Sequence, residues 1–220
     1  VLGGSRFDRM AKAYLSDCPS QSFTLRNLGA RLESWLRKNI EWAGTRQNLA
    51  MDMVRLEWAD IEAFDGAAEP PLKPEDLARA NPATLRLRLQ PYIQLLDLRY
   101  PVDDLLLEVR KAEEDTDFAS NAFNERHHRK RVSAVAKLKP QPIFLAVHRM
   151  DDSVYFRRLQ SEEFAILRAL RAGKALNAAV ESALKKSLIP AEERPSHVQH
   201  WFQTWSALGW FCRHEKSSKN

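Results

Sequence analysis

Apolar residues recur at intervals of three or four positions through the first 65 residues, the pattern of amphipathic helices. Residues 7–15 predict a first helix. Thr24 is a good N-cap for a second helix that continues to Leu36. The longest helix is predicted from Thr45 to Asp65–Gly66, because glycine commonly follows a helix end. Two neighbouring apolar stripes on this third helix predict a central, deeply buried element.

After Gly66 the apolar residues no longer recur every three or four positions, and they alternate with polar residues instead. Leu85, Leu87 and Leu89 alternate with arginines, which predicts a short strand or extended segment. The apolar stretch 92–98 is interpreted as a second extended segment, and a further helix is predicted to begin at Pro101 and to end near Lys111. The first part of the chain is therefore predicted to be a helical domain over residues 1–111. Residues 112–140 are polar, charged and weakly periodic, which predicts a basic linker.

The pattern of the last third predicts a β-hairpin followed by three helices. Residues 143–147 are composed like a strand, residues 150–153 like a turn, and Val154, Phe156 and Leu159 lie on the returning strand. Helices are predicted from Ser161, from Leu176 and from Pro195, and residues 210–212 add a final short strand. The predicted fold class is mainly α: an N-terminal helical domain, then a small α+β winged-helix-like domain at 141–215.

Composition and charge limit the cellular compartments in which we expect this protein. The chain has 220 residues, two cysteines, a formal net charge of +5 and a pI near 9.3. Two distant cysteines argue against a disulfide framework, and no apolar run approaches the roughly 20 residues of a membrane span. We therefore expect a cytoplasmic protein with no membrane contact. The chain lacks an initiator Met, from which we expect that a first segment is missing or disordered.

No motif of catalysis is present. The chain has seven glycines without a phosphate-binding cluster, no G-x-S-x-G sequence and no H-E-x-x-H sequence. His197 and His200 lie three positions apart on a predicted helix, but two ligands do not make a metal site. The sequence therefore predicts a protein that binds rather than catalyses, with no cofactor and no metal.

A basic run in the predicted linker is interpreted first as a solvated interdomain segment, and contact with nucleic acid is the alternative. Its cations are Arg126, Arg129, Lys130 and Arg131, which can neutralise phosphates. The run has no aromatic residue on which bases could stack. Residues 195–208, the expected recognition helix, contain no Lys or Arg, which argues against reading of DNA base edges by this helix.

Several linked motifs carry a family resemblance. Residues 7–15, 53–59, 62–65, 85–89 and 99–102 resemble, in that order, the HvfC/BufC family, whose characteristic domain is commonly described as DNA-binding. Members look like partner proteins of multinuclear non-haem iron oxidative enzymes, which modify cysteines in ribosomally made peptides. The resemblance implies a partner that presents a precursor peptide to such an enzyme.

The second part of the chain is similar, more loosely, to winged-helix modules that bind a leader peptide as an added strand. The similarity rests on residues 154–156, 163–167 and the Trp201 helix that ends at 208–211. An open hairpin edge offers backbone groups to a peptide, and adjacent side chains supply selectivity. We expect the peptide between the strand 153–159 and the helix 196–208. The expected flanking residues are Val154, Phe156 and Arg158 on the strand, and His197, His200, Trp201 and Thr204 on the helix.

Two functions are compatible with the same predicted fold, and the resemblance implies the first of them. The first is a non-catalytic adaptor that binds a ribosomally made precursor peptide and presents it to a non-haem iron oxidative enzyme. The alternative is a DNA-binding transcriptional regulator that uses the winged-helix domain and the basic linker. Fold alone does not separate them. A proline at Tyr155 or Phe156 is predicted to abolish peptide binding while the helical part stays folded.

Overall fold

The structure is a computed structural model that describes residues 1–73, 81, 84–114, 135 and 138–212. The basic run with Arg126, Arg129, Lys130 and Arg131 lies outside these residues, as does nearly all of the predicted linker. The described chain forms two compact units. One comprises Val1–Ala59 and Asp97–Ile143, and the other comprises Asp60–Leu96 and the chain from Phe144 onward.

The first unit holds helix α1 (Gly4–Asp17), helix α2 (Leu32–Lys38), most of helix α3 (Gln47–Asp65) and helix α4 (Val102–Glu114). The predicted first helix is therefore confirmed, and so is the helix that follows Pro101. Its core consists of buried side chains from α1, α2, α3 and the turn before α3: Met10, Tyr14, Trp35, Leu36, Ala43 and Ala50.

The predicted second helix is not continuous. Residues Arg26–Gly29 form a 3₁₀ turn, and α2 begins only at Leu32. The Thr24 hydroxyl oxygen accepts a hydrogen bond from the Arg26 backbone N–H, at 3.2 Å. Thr24 therefore closes a local turn instead of capping an α-helix, which is the competition that Ser and Thr side chains offer to helical bonding. Gly29, a poor helix former, follows within this turn.

Helix α3 confirms the longest predicted helix, but it is less buried than its apolar stripes suggested. Leu56 is fully buried, whereas Ile61 and Phe64 are 36% and 51% exposed. Asp52, inside the same helix, is buried. Its carboxylate accepts hydrogen bonds from the backbone N–H groups of Arg99 and Tyr100, at 2.6 and 3.0 Å.

The strands form two small antiparallel sheets. Strand β1 (Arg88–Leu89) pairs with β5 (Phe211–Cys212), and the second sheet has the order β2-β3-β4, with β2 at Gln94–Leu98, β3 at Ile143–Met150 and β4 at Ser153–Leu159. The predicted hairpin is therefore present. The final strand is also present, and its partner is the short strand predicted at residues 85–89.

Three helices follow the hairpin: α5 (Ser161–Arg171), α6 (Leu176–Leu184) and α7 (Arg194–Ala207). Their buried faces pack with β1, β5 and part of the sheet into one core, to which Ile166, Leu167, Trp201, Trp205 and Trp210 contribute. The described chain is thus mainly helical, with small antiparallel sheets. Segment 60–96 supplies Leu87, Leu89, Tyr92 and Ile93 to this core, so the units do not follow the linear division at 111 and 140.

Two further features concern the cysteines and the apolar character of the helices. Both Cys18 and Cys212 are free thiols. Among the helices that the structure describes, none has the length and apolar character needed to cross a membrane.

Candidate functional site

The turn between β3 and β4 fixes how the two strands pair. Asp151 and Asp152 both have positive φ, 48° and 59°. This is the conformation of a two-residue type I′ turn, in which Asp is well tolerated. Met150 lies opposite Ser153, and the pairs continue without a bulge to Phe144 opposite Leu159.

The register decides which backbone groups of β4 face β3. A two-residue turn closes on a hydrogen-bonded pair, and such pairs alternate along an antiparallel ladder. Ser153, Tyr155 and Arg157 therefore direct their backbone groups to β3. The backbone N–H and C=O groups of Val154 and Phe156, and those of Arg158, point to the opposite edge. Among the described strands β4 pairs with β3 alone, so this outer edge is the side of β4 that faces away from the described sheet.

The side chains of β4 divide between the two faces of the sheet. Tyr155, Arg157 and Leu159 share a face with Phe144 and His148, because directly opposed residues point to the same side. On this face Phe144 stacks on Phe164 of α5 with ring centroids 4.5 Å apart, and His148 contacts Trp210 at 5.1 Å. We call it the helical face.

The predicted trio Val154, Phe156 and Arg158 points its side chains to the other face. Arg149, opposite Val154, shares that face and donates hydrogen bonds to the backbone carbonyls of Phe64 and Gly66 at the end of α3. The structure therefore does not place the side chains of this trio on the face that holds α5 and Trp210. What the trio contributes to the outer edge of β4 is its backbone.

The four predicted residues of α7 have different environments. Trp201 is 2% exposed and belongs to the core. His197 lies 5.7 Å from the Trp201 ring, His200 is exposed, and the Thr204 hydroxyl donates to the His200 carbonyl at 3.0 Å. On this helix His200 is therefore exposed and the His197 side chain is 35% exposed, whereas Trp201 belongs to the core.

Glu163 links the helical face of β4 with α5 and α7. One carboxylate oxygen accepts the Gln160 backbone N–H at 2.9 Å, and the other lies 3.9 Å from the Arg157 guanidinium. Burial raises the pKa of Glu163. The Gln160 hydrogen bond, the Arg157 charge, the Trp205 indole and the His200 charge act in the opposite direction without cancelling this effect. Strand β4 and helices α5 and α7 thus meet around one buried carboxyl.

His148 occupies a second buried polar position on the same face. Its ring lies between Tyr155, at 5.8 Å, and Trp210. Burial lowers the pKa of His148. The backbone hydrogen bond associated with Arg149 opposes this shift, and the Arg157 charge adds to it. The imidazole is therefore held neutral near pH 7, with one nitrogen able to donate and the other able to accept.

Several buried polar atoms around these two residues lack a hydrogen-bond partner within the described part of the chain. They are His148 Nδ1, Arg157 Nε, Glu163 Oε1, Trp205 Nε1 and Trp210 Nε1, of which the Trp205 indole lies near enough to Glu163 to lower the pKa of its carboxyl. We call these five residues the polar cluster. Buried polar atoms are nearly always paired, so such a group is unusual. It can offer donors and an acceptor to an incoming polar group.

Sequence reasoning missed the residues that build this surface. Tyr155 and Arg157 could have been found, because a two-residue turn with strict alternation fixes which strand residues share a face. His148, Glu163 and Trp210 come from separate elements, and no spacing in the sequence relates them. Within the described residues, no group of three or more His, Cys, Asp or Glu side chains could hold a metal ion. Comparison with known families found no matching family model, and comparison with curated proteins found no significant match.

Proposed function

We propose that this chain is a non-catalytic adaptor that binds a ribosomally made precursor peptide as an added strand on β4. In this proposal the adaptor presents the peptide to a partner non-haem iron oxidative enzyme. The observation that carries the peptide-binding part is the register of β4, in which the backbone groups of alternate residues point away from β3. The enzyme partner rests on the family resemblance of residues 1–111.

Strand addition suits this edge for two physical reasons. A row of backbone donors and acceptors gives affinity for any extended peptide, and nearby side chains select among peptides. Tyr155 is 43% exposed and the Arg157 side chain 34% exposed, so both can contact a bound strand on the helical face. In the proposal the β-hairpin acts as the wing of a winged-helix-like module, and α7 is its third helix.

The polar cluster supplies the selectivity in this proposal. A peptide strand on β4 would direct every second side chain to the helical face. A polar side chain there could accept from the Arg157 guanidinium and from a tryptophan indole, or donate to Glu163. Buried groups left unpaired in the absence of the right side chain give strong discrimination between peptides.

Proline substitutions test strand addition at the level of single backbone groups. Phe156→Pro removes an N–H that points to the outer edge, whereas Tyr155→Pro removes one that bonds to β3. We expect Phe156→Pro to weaken binding of the candidate precursor peptide encoded beside this chain by about tenfold or more while the fold persists. Fluorescence anisotropy measures the affinity, and circular dichroism measures the fold.

Tyr155→Pro provides the structural contrast, because it should lower the melting temperature as well as the affinity. Phe156→Leu, which retains the N–H, is the matched control and should retain peptide affinity. Unchanged affinity in a folded Phe156→Pro variant would refute strand addition at β4.

Co-purification tests the adaptor role itself. We expect the chain to form a complex with the iron enzyme and the candidate peptide, and peptide modification to depend on the chain. If neither associates and the chain instead binds duplex DNA with a steep salt dependence, the regulator hypothesis replaces the adaptor. Arg194, the one basic residue of α7, donates to the Ile189 and Ser187 carbonyls, so its guanidinium is already engaged.

A further inference from the structure

A concave surface of the second unit, separate from the β4 edge, gathers three arginines around a cavity of about 350 Å³. This volume lies at the lower end of the range for small-molecule pockets, roughly 300–1,000 Å³. Both polar and apolar residues line this cavity. We call it the arginine pocket and define it by Arg86, Leu87, Arg88, Leu89, Gln90, Pro91, Leu170, Arg171 and Gly173.

Local structure explains why the arginines converge. Along the segment that enters β1, Leu87 and Leu89 are buried, so alternation brings Arg86 and Arg88 to the same exposed side. Arg171 is the last residue of α5, and the chain turns two residues later at Gly173, whose φ of 77° favours glycine. The three cations therefore come from two elements that pack in one core.

The charges in the pocket are not balanced. Arg88 forms an ion pair with Glu69, with nitrogen–oxygen distances of 2.5 and 2.7 Å. Arg86 donates to the Gly173 carbonyl, and Arg171 donates to the Ile93 carbonyl. Within the described residues no carboxylate forms an ion pair with either of these two arginines. Three positive charges thus line one cavity, and one of them, Arg88, is paired with a carboxylate.

The two carbonyl contacts give Arg86 and Arg171 a structural role without satisfying their charge. Each holds a turn in place, and a cation near the end of a helix is favourable. A guanidinium has five N–H donors in a fixed fork, of which each carbonyl bond uses one. Both Arg86 and Arg171 are exposed, so their remaining donors are accessible from solvent. Donors and charge therefore remain for a ligand.

We propose that the arginine pocket binds an oxyanion, the carboxylate or phosphate group of a small ligand whose apolar body lies against Leu87, Leu89 and Leu170. Paired guanidinium groups match the geometry of carboxylate and phosphate oxygens. The apolar lining suits a ligand with a hydrophobic part next to the charged group. The proposal does not depend on peptide binding at β4.

Titration of the intact chain with four probes tests this site. Acetate and inorganic phosphate report the charged group alone, whereas benzoate and phenyl phosphate add an apolar body. At constant ionic strength in chloride we expect saturable shifts of the Arg86 and Arg171 Nε–H signals in NMR spectra. We expect the aromatic probe of each pair to bind more tightly by about threefold or more, because it buries apolar surface.

Charge variants make the test specific. Arg86→Gln and Arg171→Gln should each weaken binding by about tenfold. Arg37→Gln, on an exposed arginine of α2 paired with Glu33 at 2.8 Å, is the matched control and should leave binding unchanged. Because Arg171→Gln also loses the Ile93 contact, thermal melting must show that the variant is folded, and Arg171→Lys retains the charge as a second check.

For the Glu69→Gln variant we expect a gain in oxyanion affinity, whereas the arginine variants are expected to lose affinity. Removing the counter-charge of Arg88 should tighten oxyanion binding by about threefold. The backbone of residue 69 should stay in place, because the Gln90 side chain both accepts from its N–H, at 2.9 Å, and donates to its carbonyl, at 2.8 Å. A gain of function in this variant is not an effect of unfolding.

The relative affinities of the four probes distinguish a phosphate ester from an organic acid as the ligand. Preference for phenyl phosphate supports a phosphate ester, and preference for benzoate supports an organic acid. Absence of saturation with all four probes overturns the proposal, as does equal weakening by Arg37→Gln. Phe156→Pro should retain oxyanion binding, so failure of this site and failure of peptide binding at β4 are distinguishable.

Discussion

At the scale of single residues, the sequence predicts least well which carboxyl groups are buried. Glu57, which lies within the apolar stripes of helix α3, is exposed. Asp52, five positions earlier, is buried and accepts two backbone hydrogen bonds from residues nearly fifty positions away. Both residues lie on one amphipathic helix, and only the position of the chain near Arg99 decides which of them is enclosed.

Glu163 leads to a prediction about pH. Because burial raises its pKa, the folded state binds this proton more tightly than the unfolded state does. The stability that protonated Glu163 contributes is present below the ordinary value of 4.5 and is lost as pH rises through the folded pKa. We expect Glu163→Gln, a neutral isostere that can still accept from Gln160, to be more stable than the wild type at pH 7 and about equal to it near pH 4. Urea denaturation at both pH values measures the difference.

Glu162, the residue before Glu163, serves as a control because its pKa is shifted in the opposite direction. Burial acts to raise its pKa, but hydrogen bonds from the Ser187 and Ser161 hydroxyls outweigh burial and lower the pKa. The stability from this group is present above 4.5 and is lost as pH falls through the folded pKa. Glu162→Gln should therefore destabilise the protein at pH 7. A Glu163→Gln variant less stable than the wild type at pH 7 would contradict the account of the buried carboxyl.

At the scale of elements, Gly66 shows how one residue can be predicted correctly for the wrong reason. The sequence places glycine after α3, where a left-handed cap is common. In the structure Gly66 is not among the glycines with positive φ. A Cβ there would lie 2.9 Å from the Tyr92 backbone and 2.6 Å from the Glu62 carbonyl. Close approach of two backbone segments, instead of a left-handed turn, requires the glycine.

We therefore expect Gly66→Ala to be destabilising. Neither backbone segment can move aside as a flexible side chain would, so the free energy of unfolding should fall by about 1–3 kcal/mol. Thermal and urea denaturation of the full chain measure it. The control is Gly4→Ala at the start of α1, where a Cβ meets no atom within 4 Å and alanine should be neutral or mildly stabilising. Equal stability of the two variants would show that the contact at Tyr92 is not tight.

At the scale of the whole molecule, the chain is not divided in sequence order. Segment 60–96 belongs with the hairpin and the last three helices, and residues 97–143 belong with the beginning of the chain. Helix α3 and strand β2 each contain the position where the chain passes from one unit to the other. A protein cut between the predicted domains would therefore separate residues that share a core.

A truncation experiment tests this division. The fragment 141–220 corresponds to the predicted winged-helix-like domain, but it lacks Leu87, Leu89, Tyr92 and Ile93. Each buried side chain contributes about 1.5–3 kcal/mol, and a domain is stable by only about 5–15 kcal/mol. We expect this fragment alone to give a poorly dispersed NMR spectrum, and a separate fragment 60–111 to restore dispersion when added. A folded, cooperative fragment 141–220 would show that segment 60–96 is dispensable.

The sequence by itself determined most of the elements and the mainly helical class with a hairpin, because hydrophobic period, turn residues and caps act over a few neighbouring positions. It also predicted a turn at residues 150–153, and the structure shows that two of these residues, Asp151 and Asp152, form the turn itself. Only the tertiary structure decided that β5 pairs with β1, that Tyr155 and Arg157 meet Glu163 and His148, and that Arg86 and Arg171 share one pocket. These contacts join residues far apart in the chain, and side-chain burial and strand pairing between such residues depend on the packing of the whole unit, which no local pattern encodes.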